Sequence, residues 1–109
     1  MIKINTKTEL DNLIKENPDS LVIVKFGANW CSPCRVLEKT IGSFTLDESE
    51  GVCFAEVDAD EAEENLLEEY TIRSIPVLLF FKDGLLAKKE IGLHTKEDLL
   101  KIISELKSA

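Results

Sequence analysis

The chain alternates between short apolar runs and segments in which apolar residues recur every three or four positions. The runs at residues 21–26 and 77–81 are typical of buried strands. Residues 1–5 alternate like a short edge strand, and residues 52–58 and 85–91 are further predicted strands. The helical spacing begins after Thr6, passes through Leu37, Ile41 and Phe44, covers Ala62 to Tyr70, and returns at Leu99, Ile102, Ile103 and Leu106. The order βαβαβαββα predicts a single α/β domain over residues 1–109, with helices on both faces of its sheet.

The connections between these elements predict a mixed sheet. Helices that cross between successive strands make the first strands parallel, whereas the tight turn at Asp83-Gly84 requires an antiparallel pair. Thr6 and Glu9 have the spacing of a capping box, in which each side chain bonds to the other residue's backbone N–H. We therefore expect the first helix to begin directly after Thr6.

Composition and charge exclude several classes of protein. The hydrophobic share of 44% and charged share of 31% are ordinary for a globular domain. A formal net charge of -8 repels phosphate backbones and anionic lipids, so neither nucleic acid nor a membrane is an expected partner. No stretch resembles a signal peptide or the roughly 20 apolar residues of a membrane span, so we expect a cytoplasmic protein. Three cysteines are too few for a disulfide framework.

Two of these cysteines lie at the predicted start of the second helix. Cys31 and Cys34 are about one helical turn apart, which is within the reach of a disulfide. Free backbone N–H groups and the helix dipole favour the thiolate of the first cysteine, so Cys31 is the predicted nucleophile. Cys34 is the predicted resolving residue, because it can displace a substrate from Cys31 at high effective concentration. Pro33 suits the first helical turn.

Two other interpretations of the cysteine pair remain open. A zinc site needs four ligands, and Cys53 and His94 are the only other soft ligands in the chain. The other interpretation is a pair of buried structural thiols, although both cysteines flank a Ser-Pro step at a helix start. Cys53 falls within a predicted strand, where it is either a small buried hydrophobe or a regulatory thiol, and His94 is a surface residue. No metal is expected.

The motif Trp30-Cys31-Ser32-Pro33-Cys34 after a buried strand, followed by Ile75-Pro76 before another strand, resembles the thioredoxin family. The resemblance covers nearly the whole chain. It implies a central five-stranded mixed sheet flanked by four helices, and a cis bond between Ile75 and Pro76. It also implies a shallow groove for substrate strands, formed by Trp30, Ser32, Pro33, Arg73, Ser74, Ile75, Pro76 and Gly92.

The same resemblance implies an activity. Members of the family reduce disulfides in other proteins by dithiol-disulfide exchange, hold no bound cofactor, and receive electrons from a separate reductase. We therefore expect a monomeric protein-disulfide oxidoreductase whose partners are disulfide-containing proteins and a thioredoxin reductase-type donor. Two alternatives stay open: a thioredoxin-fold binding module with incidental thiols, and a more oxidising disulfide isomerase or oxidase.

The chain departs from the family pattern at two facing charges. Lys25 stands where the family usually has a buried aspartate behind the cysteines, and Glu56 stands at the matching lysine position on the next strand. We expect the two to form a partly buried ion pair, with Glu56 accepting the proton of Cys34, because an unpaired buried charge is costly. The alternative is that Lys25 extends to solvent and Glu56 is simply exposed.

Three smaller departures surround the cysteines. Ser32 replaces the usual glycine and adds a hydroxyl able to bond to a sulfur. Gly27 stands where an aromatic residue is common. Lys39 replaces a helix-kinking proline, so the second helix is expected to be straight or to bend at Gly42.

Overall fold

A computed structural model describes all residues from 1 to 109. The strands are β1 (Ile2–Lys3), β2 (Leu21–Gly27), β3 (Val52–Asp58), β4 (Val77–Lys82) and β5 (Leu85–Ile91). The helices are α1 (Lys7–Glu16), α2 (Ser32–Gly42), α3 (Glu64–Glu69) and α4 (Lys96–Ser108). None of these helices has the length and apolar character needed to cross a bilayer.

The five strands form one mixed sheet in the order β1-β3-β2-β4-β5. Strand β3 pairs in parallel with both β1 and β2, whereas β4 is antiparallel to β2 and to β5. The mixed α/β sheet with four helices predicted from the sequence is confirmed. Strand β2 lies at the centre, so the cysteine pair that follows it leaves from the middle of the sheet.

Alternating residues of β2 feed two separate cores on the two faces of the sheet. Val22, Val24 and Phe26 pack with residues of α1 and α3 in the first core. Leu21 and Ile23 pack with residues of α2 and α4 in the second core. Since side chains alternate along a strand, Lys25 and Gly27 continue the face of the second core, beneath the start of α2.

The helix boundaries follow from local capping. Thr6 and Glu9 form the expected capping box at the start of α1. Helix α3 is shorter than the predicted span of Ala62 to Tyr70, because its N-cap residue, Glu63, provides no side-chain hydrogen bond. Helix α2 continues through Lys39 and ends at Gly42 instead of bending there. Phe44 lies beyond that end but still packs edge-on against Phe54.

Candidate redox site

The cysteine pair lies at the N-terminus of α2. Cys31 is the N-cap residue, and its Sγ accepts a hydrogen bond of 3.3 Å from the backbone N–H of Cys34. The two cysteines form a disulfide, with their Cα atoms 5.2 Å apart. Pro33 lies in the first turn, where its missing N–H removes no helical bond. The helix start therefore aims free backbone donors at the sulfur of Cys31, which favours a thiolate there after reduction.

A largely apolar cavity of about 610 Å³ opens on one side of the disulfide. We call it the front groove; its walls are Trp30, Cys31, Ser32, Pro33, Ala59, Leu67, Ile72, Arg73, Ser74 and Ile75. Trp30 is 69% exposed although it is the largest side chain of the chain. An exposed aromatic beside an apolar cavity is typical of a surface that binds another molecule.

The indole of Trp30 is held in place by an acidic residue. Its Nε1–H donates a hydrogen bond of 2.9 Å to Oδ2 of Asp60. Asp60 lies in a short turn, where its own backbone N–H donates a hydrogen bond of 2.9 Å to Oδ1 of Asp58. This contact fixes the ring at the rim of the front groove without burying it.

The opposite rim of the front groove is an extended segment with free main-chain groups. No hydrogen bond within the chain engages the backbone of Arg73, Ser74 or Ile75. The Ile75–Pro76 peptide bond is cis, as the resemblance implies. Pro76 is buried and does not line the groove; its carbonyl accepts a 2.9 Å bond from the N–H of Gly92. Gly92, at φ +93°, therefore supports this segment from behind and is not part of the groove wall.

A second cavity, of about 400 Å³ and mainly polar, lies on the other side of the disulfide. We call it the back pocket. Cys34 lines it, together with Lys25, Gly27, Glu38 and Glu56. Lys25 is only 6% exposed and is the single buried charged residue of the chain. The structure thus places Lys25, Glu56 and Cys34 around the same pocket.

The expected ion pair between Lys25 and Glu56 is not formed. The two residues are register partners on β2 and β3, but Nζ of Lys25 lies 3.7 Å from Oε2 of Glu38 instead. Strand side chains stand roughly perpendicular to the sheet, so the long Lys25 side chain reaches the helix above it. Glu38 follows Cys34 by four residues and therefore lies one turn further along the same face of α2.

The hydroxyl of Ser32 bonds to a guanidinium and not to a sulfur. Its Oγ accepts a hydrogen bond of 3.2 Å from Arg35, whose other terminal nitrogen donates to the carbonyl of Asn29. Arg35 thereby joins the loop before Cys31 to the first turn of α2. Ser32 thus contacts the side chain that bonds to the loop.

Cys53 and His94 lie away from both cavities. Cys53 packs against the first core, and burial raises the pKa of its thiol. Its location therefore fits a small hydrophobe with little thiolate at neutral pH. His94 bonds to the carbonyl of Gly92 and lies 3.7 Å from Glu90. No group of three or more His, Cys, Asp and Glu side chains is arranged to hold a metal ion.

Sequence reasoning missed several residues of the site. Glu38 could have been found from its spacing of four residues after Cys34 on a predicted helix. Asp60, Ala59, Leu67 and Ile72 come from a loop and from α3 and its flank, and no local pattern connects them to Cys31. Their placement depends on how α3 packs on the sheet.

Comparisons with known proteins agree with this geometry. The family model for thioredoxin matches residues 1–105. Thioredoxin of Mycoplasmoides gallisepticum is 41% identical over 103 residues, which cover 94% of this chain and 99% of that protein. Thioredoxin of Rickettsia bellii is 38% identical over 86 residues, covering 79% and 81% of the two chains.

Solved structures give the same result. The structure of Fasciola hepatica thioredoxin superposes with a TM-score of 0.86 at 31% identity, covering 96% of this chain and 98% of that one. Oxidised mitochondrial thioredoxin 3 of Saccharomyces cerevisiae gives a TM-score of 0.84 at 30% identity, covering 96% and 94%.

Proposed function

This chain belongs to the thioredoxin family and is a thiol-disulfide oxidoreductase, and we propose that it serves as a general reductant of proteins with a separate reductase as its electron donor. One observation carries the assignment of roles within the pair. Cys31 lines the front groove, whereas Cys34 lines the back pocket. A docked substrate therefore meets Cys31 first.

The first half of the reaction takes place at Cys31. Its thiolate attacks one sulfur of a substrate disulfide, so that a bond forms between Cys31 and that sulfur while the substrate S–S bond breaks. The other substrate sulfur leaves as a thiolate and takes up a proton. The free N–H groups at the start of α2 stabilise the attacking thiolate before the reaction.

The second half releases the substrate. Cys34 loses its proton and attacks the sulfur of Cys31, which breaks the mixed disulfide and expels the second substrate thiolate. Two electrons have then passed from the dithiol to the substrate, which leaves with two thiols, and Cys31 and Cys34 are joined again. The Cα separation of 5.2 Å allows this closure with little movement.

Substrates are proposed to bind the front groove as extended strands. The unpaired main-chain groups of Arg73, Ser74 and Ile75 can bond to a substrate backbone in the manner of an added strand. Trp30 and Ile75 provide apolar contact on either side of Cys31. Backbone recognition requires no particular substrate side chain, which suits a reductant that acts on many proteins.

The electron donor, the cellular location and the oligomeric state of the protein are proposed from the same chemistry. A thioredoxin reductase-type enzyme would return two electrons to the disulfide through the same front groove. We propose a cytoplasmic monomer without a bound cofactor, because a reducing compartment keeps a working dithiol available.

Two serine variants test the assignment. Cys31→Ser should abolish reduction of a disulfide-bonded reporter protein, whereas Cys34→Ser should form a stable mixed disulfide that non-reducing electrophoresis detects. Cys53→Ser is the control and should retain the parent rate. If Cys34→Ser traps nothing while Cys31→Ser still binds substrate proteins, the groove acts as a binding module and the proposed activity is wrong.

The equilibrium reduction potential of the pair separates a reductant from an oxidant. Titration against glutathione or dithiothreitol, followed by thiol alkylation, should give a reduction potential of about −270 mV, the reference figure for thioredoxin. A value at or above about −180 mV would instead indicate oxidase or isomerase work.

A further inference from the structure

We propose that the buried ammonium of Lys25 stabilises the thiolate of Cys34 during substrate release, and that Glu38 limits this effect from the surface. The inference rests on the proposed function and adds to it a residue that acts on the second step. It replaces the expected proton acceptor, Glu56, by a fixed positive charge.

The geometry places the ammonium and the sulfur beside the same position of the back pocket. Sγ of Cys34 lies 3.2 Å, and Nζ of Lys25 3.7 Å, from the position that a Cβ on residue 27 would take. Residue 27 is a glycine, so that position is empty of side-chain atoms. Lys25 and Cys34 therefore both border the space that a side chain on residue 27 would occupy, without a side chain of Gly27 between them.

Burial makes the charge effective. Lys25 is 6% exposed and its ammonium makes no hydrogen bond within the chain, so neither bulk water nor a fixed acceptor fully screens its charge. Opposite charges attract about four times more strongly at the effective dielectric of a partly buried site than in water. A thiolate that forms on Cys34 is the anion placed to receive this attraction.

Glu38 is placed to moderate the effect. Its carboxylate lies 3.7 Å from Nζ of Lys25, on the side of the pocket that opens to solvent, and its side chain is 56% exposed. An exposed partner is screened by water and gains little from the pair. The pair therefore reduces the positive charge felt at Cys34 but does not cancel it.

Other charged groups also face the back pocket. The basic ones are Lys3 from β1 and Arg35 from α2, beside Lys25. The acidic ones are Glu56 and Asp58 from β3 and Glu61 from the following loop, beside Glu38. Of these, only Glu38 lies within 4.0 Å of Lys25 as a charge partner. Lys25 and Glu38 are consequently the groups whose removal should change the ionisation of Cys34 most directly.

The affected step is the release of substrate. Cys34 gives up its proton to solvent, its thiolate attacks the sulfur of Cys31, and the substrate sulfur departs with the bonding electron pair. Lys25 neither gains nor loses a proton in this step. It increases the fraction of Cys34 that is thiolate at neutral pH, and so raises the rate of release without changing the attack by Cys31.

Stopped-flow mixing of reduced protein in excess with 5,5′-dithiobis(2-nitrobenzoate) separates the two steps. The first nitrothiobenzoate is released in a bimolecular phase when Cys31 attacks, and the second in a unimolecular phase when Cys34 attacks. Lys25→Met keeps most of the side-chain volume and removes the charge. We expect it to slow the unimolecular phase about tenfold at pH 7 and to raise the midpoint of that phase's pH profile by about one unit. The bimolecular phase should be unchanged.

Three further variants test whether the charge of Lys25 sets the rate of the unimolecular phase. Glu38→Gln should accelerate the unimolecular phase, by about threefold, and lower its midpoint. Lys25→Arg should restore most of the parent rate, since it restores the charge. Lys101→Met, on the exposed face of α4, removes the same charge far from the pocket and should match the parent.

Several outcomes would overturn the proposal. Parent-like rates and pH midpoints in Lys25→Met would remove Lys25 from the step. If the unimolecular phase is slower in Glu56→Gln but has the parent rate in Lys25→Met, the step is assigned to Glu56. If Lys25→Met fails to fold, Glu38→Gln alone decides, because an unchanged rate in that variant contradicts the proposal. A parent protein without a unimolecular phase would instead contradict the proposed function itself.

Discussion

The front groove and the back pocket lie on opposite sides of one disulfide and have opposite character. The front groove is mainly apolar, exposes Trp30 and leaves main-chain groups of Arg73 to Ile75 unpaired. The back pocket is mainly polar and holds the one buried charge of the chain, Lys25. Each cavity contacts a different cysteine, Cys31 in front and Cys34 behind.

This difference separates binding from ionisation. An apolar surface with free main-chain donors and acceptors attracts a substrate strand but does little to the charge on a sulfur. A confined charge alters the ionisation of a sulfur but provides no surface for a protein partner. Changes to the front groove should therefore act on KM, and changes to the back pocket on the release step or on the stability of the oxidised form.

The largest effect is expected from removing the exposed aromatic of the front groove. Trp30→Ala should lower kcat/KM for a disulfide-bonded protein about tenfold, mainly through KM, because the ring offers most of the apolar contact at the rim. Steady-state kinetics at several substrate concentrations measure kcat and KM separately. Leu46→Ala, which truncates a 91% exposed residue on a distant loop, is the control. A fall in kcat alone would break the separation between the two cavities.

A methyl group added to the back pocket should destabilise the fold. A Cβ at residue 27 would lie 3.2 Å from both Cβ and Sγ of Cys34, which is too close for a relaxed contact. We expect Gly27→Ala to lower the free energy of unfolding by about 1 kcal/mol in the oxidised protein. The loss should be smaller in the reduced protein, where Sγ of Cys34 is free to rotate.

Urea unfolding of both redox forms measures this difference. Gly42→Ala is the matched control, since nothing lies within 4 Å of its added Cβ, and it should not destabilise either form. Equal losses in the oxidised and reduced forms of Gly27→Ala would contradict the proposed contact with the bridged sulfur.

A smaller effect is expected from the support of Trp30. Asp60→Ala removes the acceptor of the indole N–H bond and frees the ring to rotate. We expect KM to rise about threefold with kcat unchanged, since one exposed hydrogen bond contributes about 1 kcal/mol or less. Asp47→Ala removes an exposed carboxylate outside both cavities and serves as control. A KM equal to that of the parent would show that the ring keeps its position without Asp60.

The smallest effect is expected at an ion pair that belongs to neither cavity. The Lys96 ammonium, 2.8 Å from Glu48, and the backbone N–H of Thr45 hold the pKa of Glu48 below its ordinary value of 4.5. The carboxylate therefore contributes stability above about pH 4.5, and loses it as pH falls through the lowered pKa.

Glu48→Gln should consequently show a slightly lower urea midpoint than the parent at pH 7. The two midpoints should converge in acid, and the kinetics of both cysteines should be unaffected. A difference that grows as the pH falls would have the wrong sign for a lowered pKa.

The strands and helices could be predicted from the sequence because their patterns are local. The apolar run from Leu21 to Phe26, the capping box at Thr6 and the turn at Asp83-Gly84 each determine an element without reference to the rest of the chain. The position of the two cysteines at a helix start followed in the same way. The resemblance to the family also placed Lys25 and Glu56 on neighbouring strands, where the structure pairs them in register.

The partners of the site residues could not be predicted with the same success. Lys25 has two candidate carboxylates nearby, and the choice of Glu38 depends on the height of α2 above the sheet. The contact between Trp30 and Asp60 joins residues 30 positions apart, across a loop whose path no periodic pattern describes. The strand order β1-β3-β2-β4-β5 is likewise a property of packing between elements.

The placement of Cys31 as the N-cap of α2 has a consequence for the design of inactive variants. The proposed nucleophile is also the residue that caps the start of its own helix, since its Sγ accepts a hydrogen bond from the N–H of Cys34. Serine at this position keeps an acceptor of the preferred capping type, whereas alanine removes it at a cost of about 1 kcal/mol. An alanine variant would therefore confuse a loss of chemistry with a loosened helix, and serine is the cleaner inactive control beside the Cys34→Ser trapping variant.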